Sequence, residues 1–63
     1  MTYLLVIYAF LATGEAVQER HSHAAPTMSE CLDMAIVARN KLATDYNLRF
    51  EDTMAMCILE GNK

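Results

Sequence analysis

A chain of 63 residues holds one domain at most (residues 1–63), in the size range where a lone core is marginal and a partner, disulfide or metal often completes it. It is 54% hydrophobic with a mean hydropathy of +0.13, which excludes the weakly hydrophobic, highly charged composition of a disordered chain. The net charge of −3 sets five Lys and Arg against eight Asp and Glu. The basic residues are scattered, so nucleic acid is not an expected partner, and the acidity is too weak for mimicry of DNA.

The first element is Tyr3-Leu4-Leu5-Val6-Ile7-Tyr8-Ala9-Phe10-Leu11-Ala12, a run whose Tyr, Val, Ile and Phe favour a strand. Successive side chains on a strand point to opposite faces. One row is therefore Tyr3, Leu5, Ile7, Ala9 and Leu11, the other Leu4, Val6, Tyr8, Phe10 and Ala12, and both are apolar. The run is shorter than the roughly 20 residues that span a bilayer, and no Lys or Arg precedes it. A signal peptide or membrane anchor is disfavoured.

Thr13-Gly14-Glu15 is a turn signal, and Ala16–His23 then reads as a polar strand suited to a sheet edge, closing a hairpin. Glu19, His21 and His23 alternate along it and would share one face, as imidazole and carboxylate ligands to zinc or copper do. No second cluster supplies a further ligand. The three residues read as a solvated edge, and no metal is assigned.

Ala24-Ala25-Pro26 breaks the strand, and Thr27-Met28-Ser29-Glu30 matches a capping box with Thr27 as N-cap. At 100° per residue, Met28, Cys31, Leu32, Ala35, Ala38, Leu42, Ala43 and Tyr46 make the core stripe of the helix that follows, and Asn47 is its stop. Ile36 and Val37 lie at or beyond the stripe's edge, and Met34 lies at the other edge. Arg39 lies near the middle, where it either snorkels past the sheet edge or anchors a partner.

Thr53–Leu59 is a short final strand. If Cys57 faces the helix, so do Ala55 and Leu59, and Met54, Met56 and Ile58 point outward. Cys31 and Cys57 are expected as buried free thiols, with a bridge between helix and strand as the alternative. The compact solution is an α+β domain of ββαβ form, an antiparallel sheet in the order 2-1-3 with one helix on one face. Leu5, Ile7 and Leu11 suit packing under that helix. Leu4, Val6, Tyr8 and Phe10, with Met54, Met56 and Ile58, are then the expected interface, because the helix leaves their face uncovered and two of them are aromatic. Ser22 and Ser29 lack a nucleophile-elbow context, Glu51 and Asp52 would point to opposite faces of a strand, and no Gly-rich phosphate loop exists. No enzyme activity, catalytic residue or cofactor is expected.

The strand beginning Tyr3-Leu4-Leu5-Val6, the helix opening Thr27-Met28-Ser29-Glu30-Cys31 and the late strand with Cys57 together resemble small ββαβ accessory proteins of tailed bacteriophages, marine and cyanobacterial podoviruses especially. The resemblance implies a viral protein made in the cytoplasm of the infected bacterium. It carries over no functional residue. The expected function is protein binding, as a homodimer or as an inhibitor or adaptor of a host protein, through the uncovered sheet face. The alternative is a virion component such as a capsid or tail decoration. Neither nucleic acid nor a membrane is an expected partner.

Overall fold

A computed structural model describes residues 2–60 as strand β1 (Tyr3–Phe10), strand β2 (Ala16–Ala25), helix α1 (Met28–Asp45), a 3-10 turn (Phe50–Asp52) and strand β3 (Thr53–Leu59). The strands form one antiparallel sheet in the order β2-β1-β3, so the ββαβ arrangement is as expected. The most apolar strand is central because only there are both of its side-chain rows sheltered by neighbours.

The first strand ends at Phe10 rather than Ala12, because the hairpin turn begins at Leu11. The Leu11 and Glu15 backbones are joined by a 2.8 Å hydrogen bond, and Gly14 donates to the Leu11 carbonyl with φ +96°, a left-handed conformation that glycine adopts without steric cost. The second strand, by contrast, runs past its expected end at His23. Ala24 and Ala25 stay in the sheet, with Ala25 buried opposite Tyr3. Room for them comes from a bulge: Leu5 pairs with His21 and Tyr3 with Ala25, so Leu4 stands opposite Ser22, His23 and Ala24. His23 takes φ +57° there. That left-handed backbone is held by Glu60, whose Oε1 accepts from the His23 backbone N–H at 2.9 Å and from the Thr2 hydroxyl at 3.2 Å.

The helix starts where its cap requires. Thr27 Oγ1 accepts from the Glu30 N–H at 3.2 Å and donates to the Glu30 carboxylate at 3.1 Å, so the box closes between side chains. Asn47 follows the C-terminus with φ +57°, a conformation asparagine tolerates better than most residues, and the Leu48 N–H returns to the Ala43 carbonyl at 2.7 Å.

Packing selects a narrower helical stripe than the wheel. Cys31, Ala35 and Leu42 join Leu5, Ile7, Ala9 and Ala25 in the core, and Ala38 packs against it. Ala43 is buried as expected, whereas Met28, Leu32 and Tyr46 are exposed. The helix rests on little more than two strands, and that contact buries a short arc of its circumference. The parity of β1 is as expected: Tyr3, Leu5, Ile7 and Ala9 face the helix and pair with Leu59, Cys57, Ala55 and Thr53.

The cysteines are bridged, not free: Cys31 at the buried start of α1 is joined to Cys57 of β3, 26 residues away. Spacing alone could not decide this, since bridging depends on how the two Cβ atoms face across the packed layers. Closing a loop of this length removes conformational entropy from the unfolded chain worth about 3 kcal/mol. Reduction, or paired Cys31→Ser and Cys57→Ser substitution, is accordingly expected to lower Tm by roughly 12–24 °C for a domain of this size. Thermal melts with and without reductant measure it. A change of a degree or two would show that the core alone carries the fold.

Candidate functional site

The sheet face opposite the helix is the candidate site. β1 contributes Leu4, Val6, Tyr8 and Phe10, and the register sets Ile58, Met56 and Met54 beside the first three. All seven expected interface residues therefore share one surface. They are not equivalent. Leu4 and Val6 are 8% and 1% exposed, each lying on the central strand between two flanking strands, Val6 between Arg20 and Met56. They form a floor. Phe10, Met54, Met56 and Ile58, at 41–50% exposed, rise around it. Tyr8 is half-buried and its ring stacks on Phe10 with centroids 6.4 Å apart. Two stacked rings beside two adaptable methionines and an isoleucine make a surface able to bury large apolar area. No known protein family, curated protein or solved structure matches the chain.

A second concavity lies on the helix side, where α1 stops short of β2. It is a groove of about 420 Å³ floored by Leu5, walled by Met34, Val37 and Ala38 of α1, and edged by His21, Asp33 and Lys41. The sequence grouped Val37 with Ile36 at one edge of the helical stripe and set Met34 at the other, whereas the groove brings Met34 and Val37 together on one flank.

The histidine strand does not present three ligands on one face. Glu19 and His21 pair with Ile7 and Leu5 and so face the helix side, 3.3 Å apart. The bulge turns His23 away to Thr2 and Glu60. Alternation fails because the bulge breaks the period of two on which it rests. Among the described residues no group of three His, Cys, Asp or Glu side chains could hold a metal ion. Nor do Thr2, His23 and Glu60 make a relay. The same nitrogen, His23 Nδ1, lies 2.8 Å from Thr2 Oγ1 and 3.4 Å from Glu60 Oε1, so the ring cannot carry a proton between its two nitrogens from one to the other.

Arg39 is not available as an anchor for a partner. Its Nε donates to Thr53 Oγ1 and its Nη2 to the Thr53 carbonyl, each at 2.9 Å, and the guanidinium lies 3.9 Å over the Phe50 ring. Thr53 in turn donates its hydroxyl to the Phe50 carbonyl at 2.6 Å. The side chain thus ties mid-helix to the start of β3 and satisfies a buried threonine. Hydrogen bonds to a charged group are worth about 1.5–3 kcal/mol. Arg39→Ala should lower stability by about that amount in urea titration. Arg39→Lys should recover only part of it, because an ammonium cannot reproduce the planar fork or its stacking. An unchanged urea midpoint in Arg39→Ala would contradict the assigned role.

Proposed function

We propose that the chain is a small interaction protein of the kind its resemblance to phage accessory proteins implies, and that it engages a protein of the bacterial host through the open sheet face. The reading is carried by one observation, the stacked Tyr8–Phe10 pair flanked by exposed Met54, Met56 and Ile58 over the buried floor of Leu4 and Val6. Aromatic residues and methionine are enriched at the centres of protein interfaces. The face holds no constellation for bond-making chemistry, so the protein acts by occupying its partner's surface. The partner is one whose own contact patch is apolar.

A second reading is favoured by the Cys31–Cys57 bridge. Disulfides persist outside the reducing cytosol. A component of the released particle, seated by the same face on a capsid or tail protein, would keep its bridge. Recovery of the bridged peptide from purified particles would favour that reading over a cytoplasmic adaptor.

Tyr8→Ala with Phe10→Ala should weaken partner binding by on the order of 2 kcal/mol or more, while circular dichroism keeps the helix signal. His21→Ala with His23→Ala should leave binding intact. Calorimetry on a partner captured from bacterial lysate reads both. Binding lost with the histidines and kept without the aromatic pair would transfer the site to the edge of β2.

A further inference from the structure

We propose that the protein is a symmetric dimer in which β3 pairs edge to edge with β3 of a second copy, a surface distinct from the open face assigned above to a partner. The two sheet edges are built differently. β2 carries Glu19, Arg20, His21 and His23 and is broken by its bulge, devices that stop an edge from pairing. β3, Thr-Met-Ala-Met-Cys-Ile-Leu, has no charge, proline, glycine or bulge. The charges that flank it are Glu60, drawn across β1 by Thr2 and His23 away from that edge, and Asp52, whose carboxylate accepts from the Arg49 N–H within the 3-10 turn.

The backbone supplies the register. The Glu60 N–H bonds to the Thr2 carbonyl at 2.9 Å, and in an antiparallel ladder alternate residues bond to the neighbour while those between turn their peptide groups outward. Ile58, Met56 and Met54 therefore bond to β1, and Leu59, Cys57, Ala55 and Thr53 face the free edge. Thr53 is already spent: its N–H donates to the Phe50 carbonyl, and its own carbonyl accepts from Arg39. The three residues left are symmetric about Cys57. A two-fold axis there pairs Cys57 with its copy and Ala55 with the partner's Leu59, each pair exchanging both N–H···O bonds. An axis one residue earlier would need Thr53.

The helices agree with this arrangement. α1 packs over β1 and β3, so the two copies' axes would lie two strand spacings apart, ~9.6 Å, within the 8–10 Å at which helices pack. The flank of α1 that would meet its copy is the side from which Arg39 reaches β3, and it presents Met28, Leu32 and Ile36 in a row four residues apart. Leu32 and Ile36 are each 52% exposed. A standard interface removes about 800 Å² from each partner, under a fifth of this chain's 4378 Å². Because the axis is normal to the sheet, both open faces remain on one side and become continuous.

Sedimentation should give twice the chain's 7.1 kDa at about 100 micromolar. Amide exchange at Ala55, Cys57 and Leu59 should slow at least about tenfold between dilute and concentrated protein. Ala55→Pro removes an outward N–H without touching the β1 ladder, and Leu32→Glu charges the helix flank. Each should raise the dimer dissociation constant about tenfold or more. Leu32→Glu, remote from the strands, decides the matter if Ala55→Pro does not fold. Tyr8→Ala with Phe10→Ala should leave the mass unchanged, which separates this dimer from binding at the open face. A monomer with unprotected edge amides overturns the proposal, as does a dimer that survives Leu32→Glu or one that is lost with the aromatic pair instead.

Discussion

A helix about 10 Å across laid on three strands ~4.8 Å apart cannot cover even one face of the sheet, and every exposed feature of this molecule follows from where α1 sits. Held over β1 and β3, it buries Leu5, Ile7 and Ala9 and leaves β2 uncovered around His21, which opens the groove beside Met34 and Val37. The opposite face has no helix at all. There the sheet shelters only its midline, where Leu4 and Val6 lie between the two flanking strands.

The helix is held in that position by contacts at two heights. Near its start the Cys31–Cys57 bridge fixes it to the end of β3, and near its middle Arg39 clasps Thr53 at the beginning of the same strand. Between them the contact surface of α1 is small, Ala35 and Ala38, which lets the helix approach the sheet closely. A core built from alanine, cysteine and a few aliphatic residues buries little apolar area. At ~25 cal/mol per Å² such a core is weak, and a covalent tie that restricts the unfolded chain has proportionately more influence here than in a larger domain.

Much of this was legible because it depends on local rules. The period of two along Tyr3–Phe10, the bulk of Tyr8 and Phe10 against the compactness of Leu5 and Ile7, and the Thr27–Glu30 cap set the strand, its parity and the helix start. What was not legible depends on residues far apart. The bulge at His23 exists because Glu60, thirty-seven positions on, accepts its N–H. Arg39 looked misplaced on the core stripe because the wheel does not show the Phe50 ring and Thr53 carbonyl waiting beside it. Met28 and Leu32 counted as core because the wheel assigns half a circumference to the interior, whereas contact with two strands uses less. The cysteine bridge required knowing that two layers meet at those residues.

Polarity falls across the molecule in one direction. The β2 side carries Glu19, Arg20, His21, Asp33 and Lys41, so its groove, though apolar inside, is rimmed by charges that keep it hydrated. At the sheet's centre, Tyr8 and Phe10 have Gln18 and Ala16 as their neighbours on β2. On the β3 side the strand from Thr53 to Leu59 holds no charge, and the helix flank above it shows Leu32 and Ile36. Water solvates the first side at little cost and the last side poorly, since an exposed peptide edge bordered by apolar side chains is a template for another strand. A chain this short, with both its covalent tie and its arginine clasp directed to β3, has stiffened the sheet edge that carries no charge. A stiff, uncharged edge loses less conformational entropy on pairing than a flexible one, so the restraints that make the small core viable also prepare that edge for association.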